Sequence, residues 1–165
     1  MHGFPYAAVA QMLQLVPVPR RVLALTTSGL GEHLRPLFAG ADYTALDVVP
    51  LPGVDIVADV VSVLPAPAPD CIVCCDVLEH TLDAAQMVSE LADVVAPGGS
   101  VLLTCGTGHR PPHSALDGGP LQDGEFYQNV PQADLLRWCK AAKLRIVDVL
   151  DRADVGDLYV CGVRA

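Results

Sequence analysis

Two glycines stand where the chain changes from a strand pattern to a helix pattern. Gly29 and Gly31 follow the apolar segment Arg21–Thr26. Glycine lets the backbone approach a ligand closely, and the N-terminus of the following helix offers free N–H groups. Sixteen residues after Gly31, Asp47 ends the second predicted strand, where a carboxylate can bind ribose hydroxyls. The pairing predicts a nucleotide-cofactor site; taken alone, the glycines fit a plain tight turn equally well.

Acidic side chains also end the third and fourth predicted strands. Asp59 follows the third strand, and Asp76 follows the apolar run Cys71–Cys75. Glu79 and His80 follow three and four residues after Asp76. The carboxyl ends of parallel strands face one crevice, so these side chains are candidates for cofactor contact or acid–base catalysis. The alternative for each is a structural role, such as capping a turn or a helix.

A segment without periodicity runs from residue 106 to residue 130. It holds five glycines, three prolines and two histidines. An unstructured loop of this length in a compact domain is usually functional, often a lid. His109 and His113 are candidate general bases, since histidine titrates near neutral pH. The alternative is that these side chains are simply the polar groups of an exposed loop.

Metal and hydrolase chemistry are disfavoured by the local patterns. Cys71 and Cys74 match a C-x-x-C string, but on a strand their side chains point to opposite faces. His109 and His113 are separated by Arg-Pro-Pro, which cannot hold them on one helical face. No G-x-S-x-G elbow occurs. The sequence therefore predicts no metal site and no serine hydrolase.

Composition limits the class of protein. The 165 residues suit a single domain, spanning 1–165, with a buried core. Ten basic against 19 acidic residues give a net charge of −9, which argues against nucleic acid as a partner. There is no apolar run of membrane-spanning length and no signal-peptide pattern. The six cysteines mostly lie in apolar runs, which favours a reducing, cytoplasmic location.

The elements that must position these residues alternate between helix and strand. This alternation predicts an α/β fold with a doubly wound, mostly parallel sheet. Apolar spacing at Val9, Met12, Leu13 and Val16 predicts a first helix that Pro17 ends. Further helices are expected around residues 30–38, 88–95 and 131–142, and strands over 21–26, 42–48, 54–58, 71–75, 101–105, 144–149 and 158–163.

Two features of this sheet depart from a full doubly wound pattern. Residues 49–53, between the second and third strands, are too few for a crossover helix. The helices between strands two and four are therefore expected to be trimmed. The last two strands, 144–149 and 158–163, are expected to form an antiparallel edge.

Three segments carry a resemblance to a known family. They are YTALDVVPLPGVDIVAD (43–59), CCDVLEH (74–80) and LADVVAPGGSVLLT (91–104). In their order and spacing the chain resembles a class I S-adenosylmethionine-dependent methyltransferase of the small, ubiquinone-biosynthesis-like type, from about Arg21 to Val149. The resemblance implies a Rossmann-like methyltransferase fold, S-adenosylmethionine as cofactor and a small-molecule acceptor. A homodimer is left open as the state of assembly.

The resemblance also implies roles for individual residues. Gly29 and Gly31 would contact the methionine part of the cofactor, and Asp47 the ribose hydroxyls. Asp59 and Val60 would border the adenine. Asp76 would lie near the transferred methyl group, with Glu79 and His80 behind it, and the loop 106–130 would cover the acceptor. The candidates for a base that takes the acceptor's proton are Asp76, His109 and His113.

The first motif of the family, acidic-x-Gly-x-Gly-x-Gly, is degenerate in this chain. Ala24 stands at the acidic position, and Thr27 is interpreted as replacing the first glycine. Loss of the carboxylate removes a charged hydrogen bond to the cofactor's ammonium group, about 1.5–3 kcal/mol. Glu32 is a candidate replacement. Two other classes therefore remain open: a non-catalytic cofactor-binding or interaction module, and a nicotinamide dehydrogenase, against which Leu34 counts.

Overall fold

A computed structural model describes residues 3–58 and 67–165. The first half contains α1 (Gly3–Met12), β1 (Arg21–Thr26), α2 (Leu30–Leu34), a 3₁₀ turn (Arg35–Phe38), β2 (Asp42–Asp47), β3 (Ile56–Val57) and β4 (Cys71–Cys75). The second half contains a 3₁₀ turn (Leu78–His80), α3 (Ala84–Val94), β5 (Ser100–Gly106), α4 (Gln132–Ala141), β6 (Leu144–Arg152) and β7 (Asp157–Arg164).

The strands of these described residues form one seven-stranded sheet in the order β3-β2-β1-β4-β5-β7-β6. All pairings from β3 to β5 are parallel, and β7 runs antiparallel to both β5 and β6. Apolar side chains alternate between the two faces, so that Cys71 and Cys74 of β4 lie in opposite cores. This confirms the doubly wound, mostly parallel sheet with an antiparallel edge, and it separates the C-x-x-C pair as expected.

Helices cover both faces of the sheet. One core packs α3 and α4 against the sheet, through residues such as Leu91 and Leu135. The other packs α1 and α2, through residues such as Val9 and Leu34. Within the described ranges, no helix combines the length and apolar character that crossing a membrane requires.

Two predicted helices are shorter than expected. The first ends at Met12, because Gln14 and Leu15 donate to the carbonyls three residues earlier and so wind into tight turns before Pro17 is reached. The helix expected over 30–38 ends at Leu34 and continues as a 3₁₀ turn that carries Pro36 near its start. Proline lacks the N–H that an α-helix needs at an interior position.

The connection between β2 and β3 is a loop, as the short spacing predicted. Its geometry depends on Asp55, whose carboxylate accepts the backbone N–H of Ala45 at 2.8 Å. The Asp55 N–H donates to the Ala45 carbonyl at 2.9 Å. A side chain thus occupies the backbone position that a longer β3 would pair with, and β3 is limited to two residues. The connection from β3 to β4 lies largely outside the described residues.

Candidate functional site

A cavity of about 340 Å³ opens at the carboxyl ends of the parallel strands. β1 and β2 supply one wall, and residues after β4 together with Met87 of α3 supply another. Ala115 from the long loop completes the lining. The volume falls in the range of small-ligand sites, and the position is where open α/β sheets bind ligands.

Asp47 is the buried acidic residue of this cavity. Its side chain ends β2 and is 1% exposed. The Val49 N–H donates to Oδ1 at 3.3 Å, whereas Oδ2 is buried without a partner. Burial raises the pKa of Asp47, and the backbone N–H groups of Val49 and Gly29 partly oppose that rise. Asp47 therefore presents an unused acceptor to whatever enters the cavity.

The predicted glycine turn lies beside this wall. Ser28 and Gly29 both have positive φ, 53° and 75°, and Gly29 precedes α2. Gly31 faces the sheet, because a Cβ on it would lie 3.1 Å from the Cβ of Ala45 and from Thr26 Oγ1. The structure thus gives Gly31 a close-packing position between α2 and β2. The cavity lining near the turn comes from Thr26 and Thr27 instead.

The assignment of Thr27 to the first glycine position needs correction. The motif places its glycines two, four and six residues after the acidic position. From Ala24, these positions are Thr26, Ser28 and Leu30. Thr27 has a different contact, a hydrogen bond from its hydroxyl to the Asp76 carbonyl at 3.0 Å. This bond joins the ends of β1 and β4.

Glu32, the candidate replacement for the missing acid, is engaged elsewhere. Its Oε2 lies 3.2 Å from Arg35 Nε, and the side chain is half exposed. It does not line the cavity. Nothing in the described part of the chain therefore brings Glu32 to the position of the absent carboxylate.

Asp76 is held by a cation that the sequence did not indicate. Arg110, from the long loop, places Nη2 3.4 Å from Asp76 Oδ2 and Nη1 2.7 Å from Asp157 Oδ1. The Thr104 hydroxyl donates to Asp76 Oδ1 at 3.1 Å. Asp76 does not line the cavity, and its two carboxylate oxygens are occupied by Arg110 and Thr104. Its observed position anchors the loop to the ends of β4 and β7.

The two histidines of the long loop have different surroundings. His109 is exposed and lies outside the cavity lining. His113 stacks edge-on with His80, at 5.0 Å between ring centroids, and also contacts Tyr127. His80 lines the cavity, and burial, followed by the charge of His113, lowers its pKa. Of the three candidate bases, His113 is the one placed next to a cavity-lining imidazole.

Glu79 is fully buried behind His80. Its Oε1 accepts the Gly106 N–H at 2.8 Å, while Oε2 has no partner. Burial, and then the negative charge of Asp76, raise the pKa of Glu79 well above its usual range. The side chain does not line the cavity.

The loop 106–130 folds back over the cavity, and its predicted lack of helix and strand is observed from residue 107 onward. The Ala115 carbonyl accepts both the N–H and the hydroxyl of Ser28, each at 3.1 Å. Glu125 fixes the loop internally by accepting from Ser114, Ala115 and Gln122. The loop is therefore docked on the glycine turn. Asp59 and Val60, the predicted adenine contacts, lie outside the described residues.

Three solved structures share this architecture. The 1,6-didemethyltoxoflavin-N1-methyltransferase of Burkholderia thailandensis, with 1,6-didemethyltoxoflavin and S-adenosylhomocysteine bound, has a TM-score of 0.70 at 14% identity, over 99% of this chain and 78% of its own. A Mesorhizobium loti S-adenosylmethionine-dependent methyltransferase has a TM-score of 0.68 at 16% identity, over 96% of both chains. The magnesium protoporphyrin IX methyltransferase of Synechocystis PCC 6803, with S-adenosylmethionine bound, has 0.66 at 17%, over 99% and 79%.

The strand order, the antiparallel β7 and these likenesses define a Rossmann-like fold of the class I methyltransferase type. Residues 27–103 match the family model described as a methyltransferase domain. This match, over a little under half of the chain, and the shared fold confirm the resemblance to class I methyltransferases drawn from the three sequence segments. The comparison with curated proteins gave no match.

Proposed function

We propose that this chain transfers the methyl group of S-adenosylmethionine to a small molecule or other modest polar acceptor. The observation that carries the proposal is Asp47 Oδ2, a buried carboxylate oxygen without a partner at the wall of a ligand-sized cavity. Ribose hydroxyls are donors of the kind that such an oxygen lacks. Two structures of the same fold bind S-adenosylmethionine or S-adenosylhomocysteine.

The residues of the cavity fit an adenosyl ligand in its ribose part. Asp47 would hold the ribose, and the apolar side chains of Leu46, Val48 and Val77 would pack around it. Gly29 at the turn remains the proposed contact for the methionine part. Asp59 and Val60 remain the proposed adenine contacts.

S-adenosylmethionine, when bound, supplies a methyl group made electrophilic by the adjacent sulfonium. The task left to this chain is to align the acceptor and exclude water. The docked loop 106–130 closes the cavity at Ala115 and would shield the acceptor from solvent. His80 is the imidazole at the cavity wall, with His113 beside it, and we propose that this pair receives the acceptor's proton.

Ligand binding tests the proposal directly. Calorimetric titrations of the full chain with S-adenosylmethionine, S-adenosylhomocysteine and NAD should give saturable heat with the two adenosyl ligands and none with NAD. Absence of binding of either adenosyl ligand at about millimolar concentration, a free energy of about −4 kcal/mol, would reject methyl transfer. Preferential binding of NAD would instead support a dehydrogenase.

A non-catalytic cofactor-binding module is the second candidate, and one contact favours it. The Ser28 N–H, at the turn beside the cavity, is already bonded to the Ala115 carbonyl. Ala24, fully buried in β1, supplies no charge to hold the cofactor's ammonium group. The two candidates separate in a radiolabel assay with S-adenosylmethionine and a panel of phenols, amines and heterocycles. Transfer to any of them selects the enzyme, and tight binding with no transfer selects the module.

A further inference from the structure

Three side chains of metal-binding type meet beside the cavity. Glu79 and His80 come from the 3₁₀ turn after β4, and His113 comes from the long loop, 33 residues after His80. One ligand atom of each lies within 4.8 Å of the other two. We propose that Glu79, His80 and His113 bind one divalent transition-metal ion, at the imidazole pair that the proposed methyl transfer also uses.

Unused ligand atoms are the main support. In the described part of the chain, four buried side-chain atoms have no hydrogen-bond partner, and two of them are Glu79 Oε2 and His80 Nε2. Buried polar atoms of this kind are normally paired, so each requires an explanation. A metal ion bound between them would satisfy both at once.

The remaining atoms of the three side chains are occupied in a way that suits metal binding. His80 Nδ1 lies 3.3 Å from the Phe126 carbonyl, and His113 Nδ1 lies 3.1 Å from the Pro111 carbonyl. A carbonyl at Nδ1 favours the proton there and leaves the Nε2 lone pair free for a metal. The same pattern of an outer carbonyl that orients a histidine ligand is usual in metal sites.

The charges around Glu79 leave its free oxygen available. The Gly106 N–H donates to Oε1 at 2.8 Å, and Arg110 Nη1 lies 4.0 Å from that same oxygen. Both therefore engage Oε1, whereas Oε2 has no hydrogen-bond partner. The carboxylate is held in place through one oxygen while the other remains a ligand.

The donor set indicates the kind of ion. Two imidazoles and one carboxylate suit Zn²⁺, Fe²⁺ or Co²⁺, whereas Mg²⁺ and Ca²⁺ prefer oxygen ligands. Because metal–nitrogen bonds are about 2.0–2.1 Å, the donors must draw somewhat closer than 4.8 Å on binding. Three protein ligands also leave a coordination position for water or for an acceptor atom.

Metal titration with a matched pair of loop variants tests the site. Tag-free, chelator-treated protein is titrated with Co²⁺, followed by visible absorption, and with Zn²⁺, followed by calorimetry. We expect one ion per chain and a loss of affinity of about tenfold or more in His113→Ala. His109→Ala, four residues away on the same loop and exposed, should bind as the wild type does.

The control measurements keep the outcome clear. Circular dichroism and thermal melting of both variants establish that each is folded. Glu79→Gln provides a second ligand variant, which keeps an acceptor for the Gly106 N–H. Absence of one-to-one binding, or equal affinity in the wild type and His113→Ala, would overturn the site. Neither readout depends on S-adenosylmethionine, so failure here leaves the proposed methyl transfer untouched, and the reverse also holds.

Discussion

Asp47→Asn separates the proposed ligand-binding role of Asp47 from any role in folding. Asparagine keeps the shape of the side chain and an oxygen for the Val49 N–H, and it removes the charge from Oδ2. Burial raises the pKa of Asp47 in the folded chain. The folded state therefore holds this proton to a higher pH than the unfolded chain does, and stability falls as the pH rises through the folded pKa. At pH 7 this effect lowers the free energy of unfolding of the wild type, whereas the variant, which has no carboxyl group at this position, does not lose that stability.

The size of the binding effect follows from the single unpartnered oxygen. A ribose hydroxyl that donates to Oδ2 makes one charge-assisted hydrogen bond, worth about 1.5–3 kcal/mol. Its loss corresponds to about ten- to 150-fold weaker binding. We therefore expect Asp47→Asn to bind S-adenosylhomocysteine about ten- to 150-fold more weakly while its melting temperature at pH 7 is unchanged or raised.

Calorimetry with S-adenosylhomocysteine and thermal melting of the same samples measure both quantities. Asp42→Asn is the matched control, because Asp42 begins the strand that Asp47 ends and is exposed. It should bind as the wild type does. An Asp47→Asn dissociation constant within about threefold of the wild type, less than 1 kcal/mol, would refute the ribose assignment. A melting temperature that falls together with the affinity would show that Asp47 acts through the fold.

Three further predictions, two substitutions and one labelling experiment, test the packing of the chain. Arg110→Met keeps the aliphatic stem but leaves the carboxylate of Asp157 without its cation. Urea denaturation should show that the free energy of unfolding falls by about 2–3 kcal/mol. This is less than for a fully buried pair, because Arg110 is partly exposed. Gly31→Ala places a methyl group 3.1 Å from Ala45 Cβ, and thermal melting should show a loss of stability of about 1–3 kcal/mol. An unchanged melting temperature would show that α2 can shift to make room. Burial raises the pKa of all six cysteine thiols. None should therefore react with a thiol reagent at about pH 8 until denaturant exposes it. Rapid labelling of the native chain would contradict this burial.

The fold was predictable wherever local sequence determines it. The runs Arg21–Thr26 and Cys71–Cys75 are continuous and apolar, and both strands have the predicted bounds. The third strand was predicted over 54–58 and is two residues long, since the Asp55 carboxylate takes the N–H of Ala45. A side chain that replaces a backbone partner leaves no trace in hydrophobic periodicity.

The candidate site, like the fold, was predictable only where local sequence determines it. The position of Asp47 at the cavity wall was predictable, because the end of a parallel strand is a local and recognisable position. Arg110 and the contact between His80 and His113 were missed, because they depend on the path of a loop without periodicity. Spacing along the sequence sets His113 beside His109, whereas in the folded chain the His113 ring contacts that of His80.

The degenerate glycine motif changes the space available to a ligand more than it changes the fold. Thr26 accepts the Gly31 N–H at 3.0 Å, and Leu30 is buried in the core, so both replacements add contacts. Ser28 adopts φ 53°, which costs about 1–2 kcal/mol, and its two hydrogen bonds to Ala115 offset this. The turn is therefore stable without glycine, but the N–H and surface that glycine would offer to a methionine group are covered by the loop. Under the proposed function, we expect the binding strength to come mainly from the side of the cavity where Asp47 lies.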